Sequence, residues 1–111
     1  CFRIPDRQLM REAADMLIGV HDFRSFSTVK KAKSTIREIY DIDIYDDGEE
    51  MLITICADDF LHNMVRIIIG TLIEIGLRMR DPNEIDDIFE GELPASAPCD
   101  PKGLYLQEIT Y

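Results

Sequence analysis

FLHNMVRIIIGTLIEIGL, from Phe60 to Leu77, is an apolar stretch from which the rest of the fold can be predicted. Its apolar residues cover nearly the whole circumference of a helix, so we expect a helix over Phe60–Leu77 that lies across a sheet. Two side chains of this stretch, His62 and Arg66, are polar and do not suit an interior. They stand four residues apart and would share one helix face. Arginine is seldom fully buried unless it is paired, so this end of the helix should border a cleft.

Two interpretations of Arg66 stay open on residue type. In the first, its stem packs on the core and its guanidinium pairs with Asp58 or Asp59 or reaches water. In the second, its fork of N–H donors meets a carboxylate or a phosphate supplied from elsewhere. Structural ion pairs are commoner than catalytic ones, which favours the first interpretation for Arg66, and a structural role is equally favoured for His62.

A helix and a loop are predicted on the N-terminal side of this stretch. Asp6 is a suitable N-cap for a helix from about Arg7 to Ile18, which Gly19 would end. The following residues, VHDFRSFS from Val20 to Ser27, mix aromatic and polar side chains and are expected to form an ordered loop.

A hairpin is predicted in the middle of the chain. From about Thr35 the apolar spacing changes to two, which indicates a strand. One face of this strand is expected to hold Ile36, Tyr40, Ile42 and Ile44, and the other face Arg37, Asp41 and Asp43. The turn DDGEE, residues 46–50, and the apolar strand MLITICA, residues 51–57, would complete the hairpin.

A second helix and a last strand are predicted after the hairpin and the long helix. Asp58 and Asp59 place short hydrogen-bond acceptors where the long helix would start. DPNE, from Asp81 to Glu84, combines an Asp N-cap, a Pro and a Glu, so a short helix should run from Pro82 to about Glu90. LYLQEITY, from Leu104 to Tyr111, has the alternation of a final strand.

These elements predict an α+β fold, a two-layer sandwich in which an antiparallel sheet is packed on one face by helices. With 111 residues the chain corresponds to a single domain, residues 1–111. Its 46% hydrophobic and 31% charged residues are typical of a folded globular protein and exclude a disordered one. The apolar runs are too short for a membrane span, so no membrane partner is expected.

Disulfide and metal chemistry are not indicated by the sequence. Cys1, Cys56 and Cys99 are odd in number, far apart and without CxxC spacing, which favours a reducing cytoplasmic setting. With only His21 and His62 as imidazoles, we expect no metal site. Because the first residue is Cys1 and not Met, the chain is expected to be a piece of a longer protein.

Charge is unevenly distributed along the chain. The formal net charge of −10 argues against a nucleic-acid partner, but the local distribution matters more than the sum. Residues 24–37, here called the basic segment, contain no acid and five basic residues: Arg24, Lys30, Lys31, Lys33 and Arg37. Residues 41–50 contain six acids and no base. The basic segment is either an edge strand protected from aggregation by lysines or a surface that contacts RNA.

Three blocks of the sequence resemble the C-terminal half of the bacterial tRNA pseudouridine synthase A family. They are HDFRSFS (21–27), ADDFLHNMVRIIIGTLIEIG (57–76), and AP (97–98) followed by KGLYLQEITY (102–111). That family typically shows DF-x-SF, then F-x-H-x-M-V-R-x-x-x-G-x-L-x-x-x-G, then AP and GL-x-L-x-x-V-x-Y. In register are Asp22, Phe23, Ser25 and Phe26, and Phe60, His62, Met64, Val65, Arg66, Gly70, Leu72 and Gly76. The resemblance extends from about Asp6 to Tyr111.

The resemblance implies that uridines in the anticodon arm of tRNA are converted to pseudouridine without an organic cofactor. In this family the nucleophile is an aspartate in an RTDxGVHA-like motif, which this chain lacks. The resemblance therefore implies a partner in the N-terminal half of the same polypeptide, and a fragment that is inactive alone. By its place in the motif, Arg66 is the expected partner of the missing aspartate, which it would keep ionised.

The resemblance also implies RNA-binding residues and an oligomer. The expected contacts with tRNA come from Arg24, Lys30, Lys31, Lys33 and His62, around a uridine flipped out of the RNA stack. The family forms homodimers, so a homo-oligomer is expected. The alternative is a non-enzymatic RNA-binding or dimerisation module built on the same α+β sandwich.

Overall fold

The computed structural model of the chain describes residues 5–31, 33–46, 51–97 and 105–110. The helices are α1 (Arg7–Leu17), α2 (Met64–Gly76) and α3 (Glu84–Phe89), and a 3-10 turn spans Arg24–Phe26. The strands are β1 (Gly19–Asp22), β2 (Ile36–Asp46), β3 (Met51–Ala57) and β4 (Tyr105–Thr110). They form one sheet in the order β1-β2-β3-β4, antiparallel from β1 to β3, with β4 parallel to β3.

The predicted α+β class is confirmed, and one face of the sheet forms the core with the helices. Ile42 and Ile44 of β2 and Ile53 and Ile55 of β3 are buried, while Asp43, between the first two, is exposed. α1 packs against β2 and α2, and α3 packs against α1 and the 3-10 turn. Burying each of these aliphatic side chains stabilises the fold by about 1.5–3 kcal/mol.

The predicted N-cap of α1 is confirmed, and it lies against the end of α2. Asp6 Oδ1 accepts hydrogen bonds from the backbone N–H groups of Gln8 (2.9 Å) and Leu9 (3.3 Å). The backbone N–H of Asp6 donates to the carbonyl of Gly76 at 2.8 Å. A Cβ at Gly76 would lie 2.8 Å from Met10 Cγ, so the two helices approach closely only because this residue has no side chain.

The predicted hairpin is confirmed, but β2 contains a bulge that the sequence did not reveal. Ile39 lies opposite Ala57, whereas Asp41 lies opposite Cys56, which leaves Tyr40 as an extra residue in β2. One extra residue exchanges the two faces of a strand from that point onward. Of the predicted turn, residues 47–50 lie outside the described residues, as do Cys1 and Cys99.

The bulge makes the predicted apolar face of β2 wrong in its first half. Ile36 is 55% exposed and Tyr40 is 45% exposed, so neither shares the buried face of Ile42 and Ile44. Arg37, which was expected to share a face with the exposed aspartates, instead has a side chain that is only 19% exposed.

The predicted loop over residues 20–27 is also wrong in part. Its first residues belong to β1, which pairs with the start of β2, from Gly19 opposite Ile39 to Asp22 opposite Ile36. A strand of four residues with two polar side chains gives too short a pattern to recognise by period. Gly19, with φ of +110°, lets the chain leave α1 and enter this strand at once.

The long helix begins later than predicted, at Met64 and not at Phe60. Phe60 and Leu61 continue the apolar pattern, but they belong to an irregular turn, and hydrophobicity alone does not distinguish the two. The residue before the helix, Asn63, has φ of 61°, a left-handed conformation that does not continue a helix. His62 and Arg66 are therefore not neighbours on one helix, as the sequence spacing had suggested.

α3 is shorter than predicted and has Asn83 and not Asp81 at its N-cap, although the contacts predicted between Asp81 and Glu84 are present. The backbone N–H of Asp81 donates to Glu84 Oε2 at 2.7 Å, and the N–H of Asn83 donates to Asp81 Oδ1 at 2.9 Å. These are the reciprocal contacts expected from the DPNE sequence. Pro82 and Asn83 form a turn in front of the helix.

Candidate functional site

His62 and Arg66 both lie at the N-terminal end of α2 in spite of the shorter helix. Both side chains are exposed, and both line a pocket of about 300 Å³ formed by residues 60–66, here called the helix-end pocket. His62 belongs to the turn before α2, residues 58–63, here called the pre-helix turn. The left-handed Asn63 redirects the chain into the helix, whose first turn carries Arg66. The structure thus brings the two residues together through a turn.

The acids that were expected to cap this helix or to pair with Arg66 have other contacts. Asp58 Oδ1 accepts from the backbone N–H of Glu38 at 3.0 Å, and the N–H of Asp58 donates to the carbonyl of Glu38 at 3.1 Å. Asp59 Oδ1 accepts from the N–H of Phe60 at 2.8 Å. The two bonds of Asp58 join the pre-helix turn to β2.

Arg37 strengthens the same junction from inside the fold. Its guanidinium donates to the carbonyls of Ser34 (3.1 Å) and Ile36 (2.8 Å), and its Nε lies 3.7 Å from Asp59 Oδ2. Among the described residues this Nε is a buried atom without a hydrogen-bond partner. Arg37 is therefore a structural member of the basic segment, held near Asp59 by charge and not displayed to solvent.

Besides the Arg37–Asp59 pair, Thr28 joins the basic segment to the pre-helix turn. Its backbone N–H donates to the carbonyl of His62 at 3.1 Å, and its Oγ1 lies 3.1 Å from His62 Nδ1. Asn63 Nδ2 donates to the same Oγ1 at 3.1 Å. Nothing in the spacing of the sequence indicated this contact, because Thr28 and His62 are 34 residues apart.

The other predicted RNA-binding residues are exposed. Arg24 lies in the 3-10 turn, and Lys30, Lys31 and Lys33 lie in the irregular segment that leads to β2. The lysines do not lie in a strand, so the alternative of a lysine-protected edge strand is wrong. β1 is the edge strand on this side of the sheet.

Asp22 fixes the course of the chain at the start of the basic segment. Its Oδ1 accepts hydrogen bonds from the hydroxyl of Thr35 and from the backbone N–H of Arg24 (3.1 Å). These two bonds, with the positive charge of Arg24, lower the pKa of Asp22 below its ordinary value. Asp22 is thus an anchor between the 3-10 turn and the segment that enters β2.

The aromatic residues of the DF-x-SF block belong to the core. Phe23 and Phe26 are fully buried, and their ring centroids lie 5.4 Å and 5.0 Å from that of Phe89 in α3. The ring of His21 stacks on Phe89 at 4.6 Å, and its Nε2 lies 3.1 Å from the carbonyl of Ile18. This cluster fixes the 3-10 turn on α3, so His21 is structural here.

A second, larger pocket lies beside the helix-end pocket. It has a volume of about 580 Å³ and is lined by Ser25, Ser27, Thr28, Ile67 and residues 91–96. Arg80 fixes two of these lining residues in place. The Arg80 guanidinium donates to the carbonyl of Pro94 at 2.6 Å and to Ser96 Oγ at 3.0 Å. Thr28 lines this pocket and bonds to His62, which lines the other one.

Within the described residues, three acidic side chains could approach a metal ion together. Oxygen atoms of Asp87, Glu90 and Glu92 lie within 4.8 Å of one another, and two of these residues are exposed. Exposed acidic groups of this kind are common without a metal, and they lie outside the helix-end pocket. None of the described helices has the length and apolar content that crossing a bilayer requires.

Comparison with known proteins connects this geometry to one family. A family model described as tRNA pseudouridine synthase matches residues 13–111. The chain is 40% identical over 105 residues to tRNA pseudouridine synthase A 2 of Bacillus cereus, covering 92% of this chain and 43% of that protein. It is 42% identical over 106 residues to tRNA pseudouridine synthase A of Clostridium acetobutylicum, with 93% and 43% covered. For the protein of that name from Syntrophotalea carbinolica, the identity is 39% over 111 residues, with 96% and 43% covered.

These matches confirm the resemblance drawn from the three sequence blocks. The chain spans less than half the length of the curated relatives it matches, 43% in each of the three cases. What those whole proteins do therefore also depends on their residues outside the matched part.

Proposed function

The chain belongs to the tRNA pseudouridine synthase family, and we propose that it supplies the C-terminal half of an enzyme of that family. This enzyme would convert uridine to pseudouridine in the anticodon arm of tRNA. The observation that carries the proposal is the helix-end pocket, in which His62 and Arg66 lie together at the start of α2. Thr28 connects this pocket to the exposed lysines of the basic segment. A residue for catalysis and a surface for RNA are thus combined at one end of the fold.

Arg66 is the residue that we assign to catalysis. The reaction is an isomerisation, in which the bond from N1 of the base to the ribose is exchanged for a bond from C5, so no oxidant or other co-reactant is consumed. A carboxylate nucleophile must be ionised and correctly oriented, and an adjacent guanidinium achieves both. We propose that this carboxylate comes from the N-terminal half, and that the chain is inactive without it.

The basic segment is the part that we assign to RNA binding. Arg24, Lys30, Lys31 and Lys33 are exposed and would contact phosphates, which fix the position of the RNA without reading its sequence. His62, at the mouth of the helix-end pocket, would contact the RNA next to the flipped uridine.

The sheet offers a surface for the N-terminal half and for a second copy. Large apolar side chains are exposed on β1 and β2, among them Val20 (63%), Ile36 (55%) and Tyr45 (57%). Val20 and Ile36 belong to the paired strands β1 and β2, and exposed apolar side chains on neighbouring strands favour a protein partner. We propose a cytoplasmic homodimer, and size-exclusion chromatography with light scattering of the complete protein measures its mass.

Tritium release from tRNA that carries [5-³H]uridine tests the function directly. The protein translated from the complete reading frame should release tritium, and the 111-residue chain alone should not. Arg66→Ala should lower kcat by about 10²–10³, the loss typical of removing one preorganised donor that stabilises charge in an active site. Arg7→Ala, an exposed arginine of α1 outside the pocket, is the matched control and should keep full activity.

Two results would contradict the proposal. One is a complete protein that binds tRNA but releases no tritium, which would favour a non-enzymatic RNA-binding module. The other is an Arg66→Ala protein with the circular dichroism spectrum and the activity of the wild type, which would remove the role of Arg66.

A further inference from the structure

Thr28, His62 and Asn63 form a hydrogen-bond chain that is centred on the Thr28 hydroxyl. Thr28 Oγ1 lies 3.1 Å from His62 Nδ1 and 3.1 Å from Asn63 Nδ2. An amide nitrogen only donates, so Thr28 Oγ1 accepts from Asn63. The single proton of the hydroxyl can then point to His62 Nδ1, whereas its second lone pair could accept from an Nδ1–H instead.

The direction of the bond between Thr28 and His62 decides which nitrogen of the His62 ring carries a proton. A neutral imidazole has one N–H, and its other nitrogen is an acceptor. Where Nδ1 accepts from Thr28, the ring proton is on Nε2. The same tautomer is the one that free neutral histidine prefers. Two alternatives place the proton on Nδ1, and an experiment must exclude both: a Thr28 hydroxyl that accepts from Asn63 and from His62 Nδ1–H, and an Asn63 amide that is turned over.

We propose that Thr28 is a positioning residue: with Asn63 it holds neutral His62 in the Nε2–H tautomer, so that the exposed edge of the ring offers an N–H donor to an RNA oxygen at the helix-end pocket. The backbone bond from Thr28 to the His62 carbonyl, at 3.1 Å, fixes the ring relative to the basic segment. The RNA contact rests on the proposed function, whereas the tautomer does not. One threonine would thus couple the orientation of the pocket to the segment that binds phosphates.

His21, the other histidine of the chain, is an internal reference for this proposal. Its Nε2 lies 3.1 Å from the carbonyl of Ile18, and a carbonyl can only accept. His21 therefore also carries a proton on Nε2, for a reason independent of Thr28. Its ring packs on Phe89, remote in sequence from the pre-helix turn.

Nitrogen NMR of the ¹⁵N-histidine-labelled chain tests the tautomer. At a pH where both rings are neutral, both histidines of the wild type should show the Nε2–H pattern. Thr28→Val removes the hydroxyl at nearly constant shape, so the two His62 nitrogen shifts should move toward each other while those of His21 stay unchanged. Thr28→Ser keeps the hydroxyl and should retain the wild-type pattern.

Asn63→Asp provides a second variant with the opposite expectation. It replaces the amide donor by an acceptor, so the Thr28 hydroxyl turns to the new carboxylate and the His62 ring should switch to the Nδ1–H tautomer. Aspartate also tolerates the left-handed conformation of this position. The proposal would be overturned if His62 of the wild type carried its proton on Nδ1. It would also be overturned if neither Thr28→Val nor Asn63→Asp changed the His62 nitrogen shifts.

RNA affinity tests the donor role of Nε2. Fluorescence anisotropy with a labelled anticodon stem-loop RNA should give a Kd for Thr28→Val about three- to tenfold weaker than for the wild type, the usual effect of removing one hydrogen bond. Thr28→Ser should bind like the wild type. Equal affinities of Thr28→Val and the wild type would overturn the donor role. A wild-type chain that binds no RNA would overturn the RNA contact together with the proposed function, whereas an unexpected tautomer overturns this proposal alone.

Discussion

The two ends of α2 differ in how closely they are packed and in how far they are exposed to solvent. At the C-terminal end, here called the closed end, Gly76 lies so close to α1 that a Cβ would be 2.8 Å from Met10 Cγ. The backbone N–H of Asp6 donates to the carbonyl of Gly76. The N-terminal end, around residues 60–66, is here called the open end. At the N-terminal end, the left-handed Asn63 and the exposed His62 form an open pocket held by side-chain hydrogen bonds. Close approach of two helix backbones serves stability, whereas a polar, solvent-accessible turn can serve binding. Substitutions at the two ends should therefore separate stability from function.

The largest effect is expected on RNA binding, when the lysines of the basic segment are replaced. Replacing Lys30, Lys31 and Lys33 together by alanine should lower the slope of log K against log salt by about one for each phosphate that a lysine no longer neutralises. Anisotropy with an anticodon stem-loop RNA over a salt series measures this slope.

The double variant Arg7→Ala/Arg78→Ala is the matched control, because it removes exposed cations near the closed end of α2. Arg78 forms an ion pair with Asp6 at 3.0 Å, and such exposed pairs contribute little stability. The control should leave the salt slope unchanged. If the triple alanine variant had the salt slope of the wild type, Lys30, Lys31 and Lys33 would not be the residues that contact RNA phosphates.

The next effect is expected on folding stability, at the closed end. Gly76→Ala gains up to about 1 kcal/mol of helix propensity but must displace Met10 and Pro5, and overpacking of this kind costs about 1–3 kcal/mol. We expect a net loss of stability, seen as a lower urea midpoint with an unchanged m-value. RNA affinity under native conditions should not change, and a more stable Gly76→Ala protein would show that the helices can separate at no cost.

The smallest effect is expected from Asp22, which anchors the basic segment. Its pKa is lower in the folded protein than in the unfolded chain, so its contribution to stability is present above the unfolded pKa and is lost as the pH falls through the folded pKa. Asp22→Asn should therefore flatten the dependence of the urea midpoint on pH in the acidic range. Thr35→Val removes the first cause of the shift and should act in the same direction. An identical pH profile for all three proteins would contradict this assignment.

Local signals predicted much of the framework. The Asp6 cap, the hairpin and the contacts between Asp81 and Glu84 depend on residues close in sequence, whose hydrogen-bonding chemistry is the same in any fold. The left-handed Asn63 and the bulge at Tyr40 were not predicted, because each is imposed by contacts with other elements and leaves no periodic pattern. The same bulge turned Arg37 inward and exposed Ile36.

The candidate site was predictable only in part. The motif around His62 and Arg66 indicated a functional helix end, and both residues do line one pocket, although through a turn. The hydrogen bonds of Thr28 could not be predicted, since they join residues 34 positions apart and involve a side chain common in loops. The larger pocket beside Ser25 and Ile67 was missed for the same reason.

The contrast between the two ends of α2 is tested most directly by titrating the ¹⁵N-labelled chain with an anticodon stem-loop RNA and following the backbone amides by NMR. We expect the amides of residues 24–33 and 60–66 to shift, whereas those of residues 6–10 and 76–84, around the closed end of α2, remain in place. Shifts confined to the closed end, with the helix-end pocket unaffected, would contradict the assignment of RNA binding to the open end.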